Sequence, residues 1–309
     1  MKLLQHIVMA LGVICVATSC TVEKTDYDAE LSTDTTEYIE YEEVTSTTSD
    51  GYTIRIEALN GTLYKGYNEI HLKITDTQTS AVLEDSEVTF LPILTDANGN
   101  KTSCPHQYTL EYNATEKYYS GYAVFTSESD TTVNWQLYID FQDSSQSYAI
   151  NQPITIEEQT NMNLNMTAFT GNDDEQYFIA LVAPQSPSVA ENELVAGIYK
   201  YNKPEQEAGT FPDLTQYSYS IVKNHTLLLD PRMPEPSMGN HSSPNNQDLT
   251  QASDSLYYGV VNYTMTGEWT LNFIFQDPDG NTIKGTEVST EFTPGIEGER
   301  SELHIDILF

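Results

Sequence analysis

The sequence predicts an all-β protein built from two tandem immunoglobulin-like antiparallel β-sandwich domains. Apolar and polar residues alternate over short stretches, turn residues such as Asn60-Gly61 separate those stretches, and one strand pattern occurs twice. No long stretch has the period of a helix. The 21 Tyr, 10 Phe and 2 Trp provide large side chains that can fill the space between paired sheets.

The alternation predicts the strands in chain order. The first carries Ile54 and Ile56, and the next carries Ile70 and Leu72, with His71 between them on the side expected to face solvent. Further strands are predicted at 88–94, 118–125, 135–141 and 150–156.

An internal repeat predicts the number of domains. The segment 135–143, which begins with Trp135, recurs 134 positions later as 269–277, which begins with Trp269. We therefore predict domain 1 at 51–158, a link at 159–174 and domain 2 at 175–309. Other matches are Asn68 with Asn192, Pro92 with Pro231, His106 with His241, and Tyr119-Ser120-Gly121 with Tyr257-Tyr258-Gly259.

The N-terminus has the order of a bacterial lipoprotein signal. Residues 1–19 combine Lys2, a short apolar stretch and small residues, and they end directly before Cys20. This resembles a lipobox, which implies that Cys20 is acylated and becomes the mature N-terminus. Residues 20–50 are rich in Asp, Glu, Ser and Thr and predict a disordered acidic tether. We expect a protein of the cell envelope that is attached by lipid to the outer membrane. Whether it is exposed at the cell surface stays an open alternative.

Charge and cysteine content exclude some functions. The net charge of −33 repels phosphate backbones, so nucleic acid is not an expected partner. After removal of the signal, Cys104 is the one cysteine besides Cys20, so no disulfide is expected within the folded part.

The segment 230–244 is the most unusual part of the sequence. It contains four prolines together with Met233, Met238 and His241, and we predict an exposed loop without regular structure. Thioethers normally fill cores, so two methionines in such a loop suggest another role. A Tyr-x-Gly strand follows, and then Met265-Thr266-Gly267-Glu268-Trp269.

This order of motifs resembles the bacterial FixH and YtkA-like family, over most of domain 2. The resemblance implies an envelope β-sandwich associated with metal handling and copper-dependent respiratory assembly, and not an enzyme. Domain 1 is similar in a degraded form, in which Cys104 and His106 occupy the loop position and the methionines are missing. The residues that carry the resemblance are Pro231, Met233, Met238, His241, Pro244, Tyr258, Gly259, Met265, Gly267 and Trp269.

Thioethers with an imidazole suit Cu(I) better than Zn²⁺ or Mg²⁺. We therefore predict a copper site made by Met233, Met238, His241 and Met265, and we regard Cys104 and His106 as a secondary candidate site. The alternative is that the methionines dock the loop on the sandwich while His241 is a surface residue.

No catalytic motif accompanies these residues. The sequence lacks a glycine-rich phosphate loop, zinc-ligand spacing and a nucleophile elbow, and Asp277-Pro278-Asp279-Gly280 predicts a hairpin turn and not a calcium loop. The sequence thus favours a non-enzymatic copper-binding lipoprotein. The competing hypothesis is a surface interaction module that binds an envelope protein or a glycan without metal.

Overall fold

The structure is a computed structural model that describes residues 40–144, 146–160 and 162–308. The predicted signal peptide, Cys20 and residues 20–39 of the predicted tether lie outside the described residues. The predicted all-β fold is confirmed: strands form nearly all of the regular structure described, with one 3-10 helix at Leu214–Tyr217. No helix in the described part of the chain has the length and apolarity that a membrane span requires.

The first unit consists of two facing sheets. Its strands are β1 (Tyr41–Ser49), β2 (Tyr52–Leu59), β3 (Leu63–Tyr64), β4 (Gly66–Asp76), β5 (Val88–Thr95), β6 (Lys101–Thr102), β7 (Glu111–Asn113), β8 (Tyr118–Phe125), β9 (Asn134–Asp143), β10 (Gln146–Ile154) and β11 (Ile156–Glu157). One sheet has the order β1-β2-β4-β8-β7 and the other β10-β9-β5-β6. Both are antiparallel, whereas β3 and β11 form a short parallel pair. Trp135, Phe90 and Phe125 are buried in the core between the sheets.

The second unit has the same strand order. Its strands are β12 (Met166–Thr170), β13 (Gln176–Ala183), β14 (Glu191–Tyr201), β15 (Tyr219–Ile221), β16 (Thr226–Met233), β17 (His241–Ser242), β18 (Gln247–Gln251), β19 (Tyr257–Asn262), β20 (Glu268–Gln276), β21 (Thr282–Lys284) and β22 (His304–Leu308). Their main order is β12-β13-β14-β19-β18-β16-β20-β21, with β22 also paired to β20.

One corner differs from a sandwich of two separate sheets. Strand β18 pairs with β19 on one side and with β16 on the other, and its register shifts between Gln247 and Thr250. This irregularity lets one strand bend from one layer into the other, as bulges do at barrel corners. In the first unit the corresponding corner holds only the isolated bridge between Thr89 and Thr109. The second unit is therefore one continuous, nearly closed sheet around its core.

Several sequence matches occupy equivalent places in the two units. Asn68 donates to the carbonyls two and four residues before it and accepts from the amide four residues before it, and Asn192 makes the same three hydrogen bonds. Pro92 lies opposite Leu137, and Pro231 lies opposite Leu271. The repeat is therefore visible in the pairing of strands as well as in the sequence.

The predicted tether was drawn too long. Residues Tyr41–Ser49 are strand β1, which pairs along its length with β2. The amino-acid composition of this segment did not predict a strand, because an edge strand gains hydrogen bonds from its backbone and needs few apolar side chains. Val44 is the apolar residue that it packs against the first core.

The link and the start of domain 2 also need correction. Strand β12 lies inside the predicted link 159–174 and pairs with β13 from Met166 opposite Ala180 to Thr170 opposite Gln176. The second unit thus begins before residue 175. As with β1, the missed element is a strand at a sheet edge, and it is only five residues long.

His71 does not face solvent as predicted. The residue is only 5% exposed, and its ring lies between the rings of Tyr41 and Tyr118, each with a centroid 3.8 Å away. Glu69 is within 3.2 Å of His71 Nε2. Because Tyr41 comes from β1, the prediction failed together with the prediction of the tether.

The two units meet through a third apolar cluster. Val124 of the first unit is buried with Met166, Phe178, Ala180 and Tyr199 of the second. The interface also includes the ring pair Tyr122–Tyr199, with centroids 5.4 Å apart, and a 2.7 Å hydrogen bond from the Tyr219 hydroxyl to the Ser103 carbonyl.

Candidate functional site

The predicted methionine-histidine loop is partly regular structure. Strand β16 continues to Met233, and His241–Ser242 forms β17, which pairs with Arg232 and Met233. Pro231 is tolerated inside β16 because it lies between the stretches of that strand edge that pair with β18 and β17. The prediction of an exposed, irregular segment was therefore wrong for 230–233 and 241–242.

Three of the four predicted copper ligands lie in one region of the second unit, near Trp269: Met233, His241 and Met265. Met233 is directly opposite His241 in the β16–β17 pair. The His241 ring centroid is 6.0 Å from that of Trp269, and the Trp269 indole donates a 3.1 Å hydrogen bond to the Met265 carbonyl. His241 Nε2 lies 2.8 Å from the hydroxyl of Thr264, the residue before Met265.

The three methionines differ in how far they are buried. Met233 is fully buried in the second core, whereas Met238 and Met265 are partly buried and pack against that core. The expectation that burial does not account for these methionines was therefore wrong for Met233. Met238 is placed by a turn in which its amide donates to the Glu235 carbonyl over 2.9 Å.

Strand register shows which positions of the first unit correspond. Leu94 pairs with Trp135 on one side and with Thr102 on the other. Met233 has the same position relative to Trp269 that Leu94 has relative to Trp135, and Met233 pairs with His241. Thr102 therefore corresponds to His241. The match of His106 with His241 was wrong, because it rested on residue type without the strand register.

The secondary candidate pair shows little capacity to hold a metal. Cys104 is fully buried, and this burial raises the pKa of its thiol far above the usual range. A metal binds the thiolate, so the protonated state opposes ligation. His106 Nδ1 lies 2.7 Å from the Cys104 carbonyl, where its N–H donates to the backbone.

Carboxylates supply no alternative metal centre. Among residues 40–144, 146–160 and 162–308, no three His, Cys, Asp or Glu side chains form a group that could hold an ion. Asp277 accepts hydrogen bonds from the amides of Asp279 and Asn281, as expected for the predicted hairpin turn. The hydrogen bond from the Asn281 side-chain amide is the largest cause that lowers the pKa of Asp277, and the backbone amide bonds lower it further.

A second candidate site is a cleft between the units, with a volume of about 420 Å³. Strand β6 and Thr126 of the first unit line one side. Gln176, Phe178, Tyr201 and the segment leading to Tyr219 line the other. Sequence reasoning missed this site, because its walls are far apart in the chain and no local pattern connects them.

Comparison with known proteins provides no function. No family model matches the chain, and no curated protein matches it. A solved structure described as the crystal structure of the conserved domain protein from Bacillus anthracis is 13% identical, with a TM-score of 0.28, covering 87% of this chain and 90% of that chain. So low a TM-score carries no argument about fold or function.

Proposed function

We propose that this protein is a non-enzymatic lipoprotein of the cell envelope whose second unit binds or transfers Cu(I). The observation that supports the proposal is the placement of His241 and Met265 beside Trp269, joined through the contact between His241 and Thr264. Lipid on Cys20 would attach the protein to the membrane, as its resemblance to a lipobox suggests.

The hydrogen bond of His241 favours this use. Metal-binding histidines commonly donate one ring N–H to a neighbour, which fixes the tautomer and leaves the other nitrogen free to bind the ion. When Nε2–H donates to the Thr264 hydroxyl, the lone pair is on Nδ1. Met238 and Met265 are the partly exposed methionines of the proposed ligand set, whereas Met233 is fully buried in the second core.

The test is a competition titration of the whole mature chain against a colorimetric Cu(I) chelator. His241→Ala and Met265→Leu are each expected to weaken Cu(I) binding at least tenfold, and Met238→Leu is expected to weaken it as well. His225→Ala is the matched control, because His225 bonds to the Lys223 carbonyl and stacks on Phe275 instead. If the wild type does not compete, or the ligand variants bind as well as the control, the copper proposal is wrong.

The anchor has a separate test. Metabolic labelling with a fatty-acid analogue should mark the wild type and not Cys20→Ser. Absence of label from the wild type would overturn the lipid anchor while leaving the copper site unaffected.

The second candidate function is a surface module that binds a protein or glycan without metal. The aromatic and polar cleft between the two units favours it.

A further inference from the structure

The cleft depends on a segment that only the second unit has. In the first unit, β4 is followed by a tight turn in which the Asp76 amide donates to the Ala81 carbonyl. In the second unit, β14 is followed by the much longer segment 202–218, closed where the Asn202 amide donates to the Ser218 carbonyl. We refer to residues 202–218 as the insertion.

The insertion is held in place by hydrogen bonds within the second unit. The Asp213 carboxylate accepts from the amides of Gly209 and Thr215, which fixes the start of the 3-10 helix. The Tyr201 hydroxyl donates to the Gln216 carbonyl over 3.0 Å. These contacts hold the insertion in a fixed position on the second unit.

The insertion also reaches across to the first unit. The Phe211 ring lies 3.6 Å beneath Lys101 Nζ, a distance typical of a cation–π contact, and 5.3 Å from the Tyr138 ring. The insertion therefore forms one wall of the cleft, and the edge of the first unit forms the other.

The cleft presents flat rings next to neutral polar groups. Tyr201, Tyr217 and Tyr219 contribute rings that are partly exposed, and Phe178 lies behind them. Within the described residues, the side chains of Thr102, Thr126 and Gln176 and the hydroxyl of Tyr217 have no hydrogen-bond partner in the protein, so each remains open to a ligand. The volume falls in the usual range of small-molecule sites, roughly 300 to 1,000 Å³.

The charge of the residues that line the cleft further limits the class of ligand. The chain carries a net charge of −33, yet the described residues that line the cleft include Lys101 and no carboxylate. Hydroxyl and amide side chains both donate and accept hydrogen bonds, as the hydroxyls of a sugar do. The C–H face of a pyranose ring is weakly apolar and can stack on a tyrosine ring.

We propose that the cleft between the two units binds an oligosaccharide, with Tyr217 stacking on a sugar ring and Thr102, Thr126 and Gln176 bonding to its hydroxyls. Lys101 is the group that would recognise a carboxylate on an acidic sugar. This site is distinct from the copper site, and it specifies the second candidate function by naming its ligand class and its residues.

The experiment is a calorimetric titration of the whole mature chain with cellohexaose, maltohexaose, chitohexaose and trigalacturonate. A copper chelator is present throughout, so the result is independent of the copper proposal. We expect at least one of these sugars to bind. Tyr217→Ala and Gln176→Ala should each weaken binding about three- to tenfold, the range expected from the loss of one stacking or hydrogen-bonding contact. Lys101→Ala should weaken the binding of trigalacturonate and leave the binding of the neutral sugars unchanged.

Matched controls are Gln247→Ala and Tyr258→Ala. Gln247 is an exposed glutamine of β18, and Tyr258 is a partly exposed tyrosine that bonds to Asp254. Both should bind like the wild type. Since Gln176 is exposed and has no hydrogen-bond partner among the described residues, Gln176→Ala is expected to keep the wild-type melting temperature. The proposal is overturned if no sugar binds at about 10 mM, where sites of millimolar affinity are filled, or if the cleft variants bind as well as the controls.

Discussion

His106 shows how the contact between the units controls the chemistry of one residue. Its ring is partly buried, with the Tyr219 ring 6.2 Å away across the interface and the Tyr108 ring 6.4 Å away. Burial lowers the pKa of His106 to about 4, although the contact with the Cys104 carbonyl opposes this shift. The imidazole is therefore neutral in the folded protein over the physiological range of pH.

This burial predicts that His106 makes the protein less stable in acid. The pKa in the unfolded chain is about 6.5, above the folded value, so the unfolded state takes up the proton first. The free energy of unfolding should therefore fall as the pH drops from about 6.5 towards 4, by roughly 1 to 2 kcal/mol at pH 5 from this group alone. Urea unfolding of the wild type at pH 7 and pH 5 measures the change.

The matched variant is His106→Asn, because an asparagine amide can still donate a hydrogen bond to the Cys104 carbonyl but does not titrate. Carboxylates whose pKa is lowered, such as Glu69 beside His71, lose stability in acid in both proteins. The variant should therefore show a smaller loss between pH 7 and pH 5 than the wild type. Equal losses would contradict the assignment to His106.

At the scale of elements, the edge strands are the parts of this fold that are hardest to predict from amino-acid composition. Strand β1 bonds to β2 through its backbone and supplies Tyr41 to the stack with His71 and Tyr118. It also contributes Val44 to the first core. The strand is therefore part of the first unit, although its sequence resembles the acidic segment before it.

Removing β1 should destabilise the first unit. A chain that begins at residue 51 loses the Tyr41 ring contact and the ladder with β2, and we expect its melting temperature to be several degrees lower than that of a chain that begins at residue 40. The substitution Tyr41→Ala removes the ring contact together with the hydrogen bond between the Tyr41 hydroxyl and Glu69, and this loss should cost about 1 to 2 kcal/mol. Glu42→Ala, at the exposed neighbouring position, is its control and should change little. Equal melting temperatures for the two chain starts would mean that β1 contributes nothing.

At the scale of the whole molecule, the two cores are joined by a buried contact. Phe178 and Tyr199 are buried against residues of the first unit, although they belong to strands of the second. The large buried aromatic side chains Trp135 and Trp269 lie instead within the separate cores. The arrangement suggests two units that can each fold and that stabilise one another.

We predict that residues 40–160 and 162–309 each unfold cooperatively when produced alone, at lower temperature than the whole chain. Exposing the rings of Phe178 and Tyr199 should cost about 1.5 to 3 kcal/mol for each fully exposed side chain. A chain 175–309 should be less stable again, because it lacks β12 and the contact of Phe169 with Tyr177 and Phe275. Calorimetry measures all four chains, and an unfolded 162–309 would contradict independent folding of the second unit.

The sequence by itself determined the central strands and their repetition. Strand β8 has the predicted bounds, and β5 and β9 extend the predicted strands by only a residue or two at their ends. The matched asparagines and the two tryptophans also lie in equivalent places. These features are readable because a half-buried strand alternates with period two, and a residue that satisfies neighbouring backbone groups does so at a fixed spacing.

Only the tertiary structure decided the rest. Strands β1 and β12 depend on backbone pairing with a neighbour, which leaves little trace in side-chain type. The register of β16 against β17, and not the presence of a histidine, decided that His241 corresponds to Thr102. The cleft is lined by β6 and by residues of the insertion that come more than a hundred positions later in the chain. Such contacts arise from the free energy of packing distant segments together, and no local pattern of residues records it.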